Sequence, residues 1–195
     1  MSEQNKAGMR IGIAGAAGCG KSSLAEAVSA KLGIPNLKSR EITEDILRRD
    51  GYDYGSGIQI ERFLANSGRQ NEILRRTIEQ QSVPNFVTDR TVVDLAAYAV
   101  CEMHHSDSTA LRRIVDTCHK NVSVYTHLFL CPWRDVSVAD TGKRTLNPWY
   151  QFCIHIMELG IMEDWGCQYV ILKSGDNAGR MSEIVTYFPE IIRIS

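Results

Sequence analysis

The chain has 195 residues, 44% hydrophobic and 23% charged, the size of one compact domain and able to bury a sizeable core. A net charge of −1 and a pI near 6.5 give no global basic field of the kind that gathers nucleic acid, although a local groove can still be basic. Six scattered cysteines without a C-x-x-C pair argue against zinc and a disulfide framework, and no apolar run approaches the roughly 20 residues of a membrane span, so reduced thiols and a cytoplasmic location are expected.

Residues 1–9 are polar and read as a flexible tail, not a signal peptide. Arg10-Ile11-Gly12-Ile13-Ala14 then reads as a short buried strand. Gly15-Ala16-Ala17-Gly18-Cys19-Gly20-Lys21-Ser22 follows and matches G-x-x-x-x-G-K-[ST]. After it, Leu24, Ala25, Val28 and Leu32 stand at helical spacing. Strand, glycine loop, helix is the context in which this motif binds nucleotide triphosphates. The glycines free the backbone so that its N–H groups turn inward around phosphate oxygens, and the helix start adds unpaired N–H groups and the positive end of its dipole. Lys21 would reach the β- and γ-phosphates, and Ser22, beside Ser23, would ligate Mg²⁺. Cys19 lies inside the loop, where alkylation or oxidation would be felt.

Ile34 to Lys38 is a weak strand candidate, and Ser39 to Leu47 a helix with acidic residues near its start. From Ile58 to about Gln81 the pattern is helical, with Gly68 as the expected divider. Arg62, Arg69, Arg75 and Arg76 lie there among acids, either as a solvated ion-paired face or as an acceptor-phosphate surface. Pro84 to Arg90 reads as a parallel strand that delivers Asp89 to its carboxyl end, the edge where open α/β sheets hold ligands. A carboxylate there can hold Mg²⁺ or accept a proton from an attacking hydroxyl, and Arg90 would face the transferred phosphate. Alternatively, Asp89 only caps the next helix.

Thr91 to Met103 is expected to be a buried helix, and Thr109 to Lys120 another. His104 and His105 read as surface residues. Tyr125 to Cys131 is a strand stopped by Pro132. Residues 133–148 lose periodicity and hold Asp140, Gly142, Lys143 and Arg144, a loop able to close over a site. A helix over Trp149–Trp165 with Phe152, Ile156, Leu159 and Met162 inward comes next, then a buried strand Gln168–Leu172 and a helix from about Ala178 to Phe188. Alternating strands and helices predict a three-layer α/β fold of the P-loop NTPase type, with about five parallel strands and helices on both faces, as one domain over 10–195.

The phosphate loop, Thr88-Asp89-Arg90 with Asp94-Leu95-Ala96-Ala97-Tyr98 behind it, and Asp140-Thr141-Gly142-Lys143-Arg144 together resemble the P-loop nucleoside and nucleotide kinases. The resemblance covers Arg10 to about Leu172 and is to the group holding ribosylnicotinamide kinase domains and many bacteriophage kinases. It implies transfer of the γ-phosphoryl of ATP to a hydroxyl with Mg²⁺, Asp89 and Arg90 at the reacting centre, Arg144 as a lid arginine, and acceptor-binding helices over about 40–81. A carboxylate just after the second strand is often the base in such kinases; Glu41 is the nearest match, with Glu44 or Asp45 as substitutes. Length and motif set also resemble the phage kinases of 5-hydroxymethyluracil in DNA, which would act in the host cytoplasm. A free nucleoside, nucleotide or ribosylnicotinamide-like acceptor, and a non-kinase P-loop ATPase, are the alternatives. A GTPase is disfavoured by the lack of an N-K-x-D motif, and a motor ATPase by the lack of a strand ending in Asp-Glu.

Overall fold

The computed structural model describes residues 8–53, 60–105, 108–133 and 147–189. Strands β1 (Arg10–Ala14), β2 (Asn36–Leu37), β3 (Phe86–Thr88), β4 (His127–Leu130) and β5 (Val170–Ile171) form one sheet in the order β2-β3-β1-β4-β5. Every pairing is parallel, with Gly12 opposite Thr88 and Ala14 opposite Leu130. Parallel neighbours need crossovers, and the eight helices among the described residues are α1 (Lys21–Leu32), α2 (Arg40–Arg49), α3 (Ile60–Leu64), α4 (Ser67–Gln80), α5 (Val92–Met103), α6 (Ser108–Asn121), α7 (Pro148–Asp164) and α8 (Asn177–Val185).

The pleat sends alternate side chains to opposite faces. Phe129 and Cys131 join Ile11 and Ile13 in a core under α1 and α8. Leu128 and Leu130 join the second core, shared with α2, α4, α5, α6 and α7. The α/β fold with a five-stranded parallel sheet and helices on both faces is therefore the one the sequence predicts. Glycine at position 12 is required by packing, since a Cβ there would meet Thr91, Leu128 and Tyr125 side chains at 2.9–3.0 Å.

Several local expectations are corrected. Met9 does not belong to the tail: its N–H donates to Asn85 and its carbonyl accepts from Phe86. The break between α3 and α4 falls at Asn66, not Gly68, because the extended Asn66 caps α4 by accepting from Arg69 N. The cap of α5 is Thr91, in a reciprocal box with Asp94, so Asp89 is left for other work. Helix α7 departs from its expected phase in part: Met162 is buried and Phe152 and Leu159 half-buried, but Ile156 is not inward. Gln151, Ile154, Glu158, Ile161 and Met162 are buried, while Ile156 is 49% exposed. Strand β5 lies at the sheet edge with Ile171 exposed, not buried.

Candidate active site

The phosphate loop connects β1 to α1 at the carboxyl edge of the sheet. Gly15, Gly18 and Gly20 have φ of 144°, 88° and 92°, a region side chains disfavour. A Cβ on Gly15 would also lie 2.7 Å from the Cys131 carbonyl. Helix α1 begins without a side-chain cap, so its first N–H groups are available to an anion. The loop is braced from outside by α8: Arg180, 4% exposed, donates through Nη1 to the Cys19 carbonyl at 2.5 Å and through Nε to Ser174 at 3.1 Å. Asn177 donates to the Gly20 carbonyl at 3.4 Å.

Lys21 folds back onto the loop, donating to the Gly15 carbonyl and to the Ala16 carbonyl at 2.9 Å, with Asp94 Oδ1 3.9 Å away. Burial alone would weaken its positive form, but the Cys19 and Asp94 charges outweigh burial and hold its pKa above the ordinary value. A phosphate that displaces the two carbonyls therefore meets a charged ammonium.

Ser22 Oγ donates to Asp89 Oδ2 at 2.5 Å, and Asp89 Oδ1 is buried with no hydrogen-bond partner among the described residues. A hydroxyl beside a carboxylate with one unused oxygen fits Mg²⁺, which takes one or two protein oxygens and completes its shell with phosphate and water. No cluster of three acidic, cysteine or histidine ligands exists among the described residues, so an all-protein cage is not offered. The turn that carries Asp89 and Arg90 is fixed by a polar chain. Val92 N donates to Tyr125 Oη at 2.9 Å, Tyr125 donates to Gln81 Oε1 at 2.7 Å, and Gln81 Nε2 donates to the Arg90 carbonyl at 3.0 Å. The Arg90 guanidinium donates to Thr43 at 3.2 Å and lies 5.5 Å from the Tyr98 ring centre.

Two carboxyls behind the loop were given no role by the sequence. Asp94 accepts from Thr91 N and Oγ1, at 2.8 and 2.5 Å, and from Gly15 N at 3.3 Å. Glu158 is fully buried, and neither of its oxygens has a hydrogen-bond partner among the described residues. Burial, then the Asp94 charge, push the Glu158 carboxyl well above the carboxylate range. Burial also raises Asp94, against the pull of Lys21. The Asp94 signal was present in the capping box; Glu158 was hidden because a hydrophobic pattern places a Glu outside.

A cavity of about 520 Å³ opens from the loop toward α4 and α7. Gly18, Gly20, Lys21, Ser22, the exposed Ser23, Asp89 and Arg90 line one end. Leu64, Ile73, Leu95 and Tyr98 supply an apolar wall at the other. There Gln70 Nε2 donates to Glu102 at 2.6 Å and to the Leu64 carbonyl at 3.1 Å, and Tyr150 donates to Glu102 at 3.3 Å. Glu41 is exposed and does not line the cavity, whereas Glu44 does, 3.3 Å from Arg40. Arg69, Arg75 and Arg76 each meet an acid, at 2.5–2.8 Å, so this face carries the ion-paired character. Lys143 and Arg144 lie outside the described residues.

A family model described as an AAA domain matches residues 10–180, and the chain belongs to that family. No curated protein matches it significantly in sequence. Among solved structures, deoxyadenosine kinase from M. mycoides with dCMP and dCDP superposes with a TM-score of 0.63 at 15% identity, covering 94% of this chain and 100% of that one. NadR in complex with NR gives 0.67 at 11% identity; the match covers 96% of this chain and 51% of NadR, so the chain spans about half that protein. Thymidylate kinase from Candida albicans gives 0.57 at 15% identity over 95% and 94% of the two chains. At such identities the likeness is one of fold.

Proposed function

We propose that this AAA-domain family member is an ATP-dependent kinase that transfers the γ-phosphoryl to a hydroxyl of a nucleoside- or nucleotide-type acceptor. The observation that carries this reading is one continuous cavity with phosphate-binding chemistry at one end and a mixed apolar and amide-carboxylate wall at the other. A hydrolytic switch has no need of the second end; a transferase needs a place to seat its acceptor. The neighbouring folds of deoxyadenosine kinase and thymidylate kinase support the same class.

Gly15 to Ser22 and the start of α1 hold the triphosphate, and Lys21 exchanges the loop carbonyls for phosphate oxygens. Ser22 and Asp89 would hold Mg²⁺, which neutralises charge on the β- and γ-phosphoryl oxygens. Arg90, with Arg144 from the segment 133–148, stabilises charge on the group in transfer. Of the three carboxylates offered as base, Glu44 is the one that lines the cavity; Asp45 is held by Arg76 and Arg48 at 2.7 and 3.0 Å. Ile and Leu side chains are poor partners for a sugar phosphate, but Arg40 and Arg90 at the same cavity suit an acceptor that carries one.

The acceptor is best read as a free nucleoside or nucleotide, because the arginines that would track a DNA backbone along α4 are engaged by acids. The 5-hydroxymethyl group of 5-hydroxymethyluracil in DNA is the second reading, carried by the motif resemblance and by Arg40 and Arg90 at the cavity. The test is ADP release from MgATP with and without a panel of nucleosides and nucleotides. Turnover that rises at least tenfold with one acceptor is expected; a rate independent of every acceptor would make the protein an ATPase.

A further inference from the structure

Two thiols stand together behind the phosphate loop. Cys19 lies near the loop crest, and Cys131 directly follows β4, where its N–H donates to the Ala14 carbonyl at 2.9 Å. A Cβ placed on Gly15 would lie 2.9 Å from Cys19 Sγ and 3.1 Å from Cys131 Cβ, so both cysteines converge on the first glycine of the loop. Lys21 Nζ is 3.9 Å from Cys19 Sγ. Both cysteines are free.

The neighbouring Cys131 side chain, helped by the Lys21 charge, pushes the Cys19 thiol down to about 6 against the effect of burial. Its partner Cys131 is pushed far up by the same contact and by burial. A sulfur made more acidic, with the Lys21 ammonium 3.9 Å away, beside a thiol made less acidic is the division of labour between an attacking and a resolving cysteine.

We propose that Cys19 and Cys131 form a modification site: a hydroperoxide oxidises the pair to an intramolecular disulfide that ties the loop crest to the end of β4 and weakens triphosphate binding. The Cys19 thiolate attacks a peroxide oxygen, the O–O bond breaks, and hydroxide or alkoxide leaves, giving a sulfenic acid. The Cys131 sulfur then displaces hydroxide from the Cys19 sulfur, and its thiol proton leaves with that hydroxide as water. Two thiols lose two electrons, and the peroxide is reduced to water or to an alcohol and water.

The effect on the loop follows from which partner can move. Cys131 is held in the sheet through Ala14, and its neighbour Leu130 accepts from Leu172 N at 3.0 Å. A disulfide bond is shorter than any contact between unbonded thiols, so the adjustment falls on the crest, whose N–H groups are the ones that would face phosphate. The cross-link rests on the thiols alone; its effect on ATP rests on the phosphate-loop reading above.

The test treats the full-length reduced protein with hydrogen peroxide, removes the excess with catalase, and maps peptides without reduction. ATP affinity is titrated before oxidation, after it, and after dithiothreitol. The expected result is a Cys19–Cys131 linked peptide, a rise of at least about tenfold in the Kd for ATP, and recovery on reduction. Cys131→Ala, with Cys131→Ser as a second variant should the first fold poorly, is expected to bind ATP normally when reduced, to form no such link, and to leave Cys19 sulfenic acid open to trapping by dimedone. A reduced protein that binds ATP but stays unlinked under peroxide overturns the proposal, as does a link that leaves the Kd unchanged. A reduced protein that does not bind ATP overturns the phosphate-loop reading instead, and the peptide map still decides whether the link forms.

Discussion

The phosphate loop and the α2–α4 wall both hold clustered charges, and they use them in opposite ways. Around the loop, Lys21 and Asp94 have side chains only 12% and 2% exposed, and Glu158 is fully buried without a hydrogen-bond partner among the described residues. Along α2 and α4, the charges are half-buried or exposed, and paired. Arg49 meets Asp50 and Glu72, and Arg75 meets Glu79 with both side chains 60% exposed. Buried ionisable groups with incomplete partners are costly to the fold and respond strongly to a ligand; exposed pairs are screened and contribute little. The first cluster has the character of a site and the second that of a solvated surface.

The largest expected effect breaks the loop side. Lys21→Ala should lower turnover by about 100-fold or more with the circular dichroism spectrum unchanged, since it removes a charge that acts on the phosphates. Normal turnover would make the loop an ordinary turn. Asp89→Asn should lower kcat by roughly two orders of magnitude while the Kd for ATP changes little, because the loop still holds the nucleotide. An unchanged kcat would leave Asp89 as a structural acid.

The far end of the cavity should respond more mildly. Gln70→Leu removes the shorter of the two hydrogen bonds that Gln70 and Tyr150 donate to Glu102 and should raise the acceptor KM about tenfold with the ATP KM unmoved, the size expected for one or two hydrogen bonds. Equal shifts in both constants would mean that the two ends are not separate subsites.

Glu158 sharpens the comparison through pH. Its folded pKa lies above the ordinary carboxyl value, so above about pH 5 the folded state keeps a proton that the unfolded chain has released. Its contribution is intact at low pH and is lost as pH rises toward the folded pKa. Glu158→Gln should therefore raise the melting temperature relative to the unsubstituted chain, by more at pH 8 than at pH 5; a difference independent of pH would show that the carboxyl is not buried neutral. The smallest effect is expected at Arg75→Ala, which should leave the melting temperature within about 2 °C and every KM unaltered.

What the sequence disclosed divides along the same line. The phosphate loop is legible because its chemistry lies within eight consecutive residues, and the sheet is legible because buried parallel strands are short apolar runs between helices. The face of helix α7 is legible only in part, because Gln151 and Glu158 share its inward side with Ile154, Ile161 and Met162 while Ile156 points out. Asp94 could be read as a cap, but its contact with Gly15, 79 residues away, exists only in the folded chain. Likewise, the Arg75–Glu79 pair is visible at i,i+4 spacing, whereas Arg76 reaches Asp45 across two helices. Glu41 and Glu44 differ by less than one turn, and only the packing of α2 decides which one lines the cavity.

The most direct test of the account gives the protein γ-labelled ATP and Mg²⁺ with two acceptor pools, free nucleosides and nucleotides in one and duplex DNA containing 5-hydroxymethyluracil in the other. Label covalently attached to an acceptor is expected, in the small-molecule pool for a free nucleoside or nucleotide acceptor and in the DNA for 5-hydroxymethyluracil. Label released only as inorganic phosphate, at a rate neither pool alters, would contradict it.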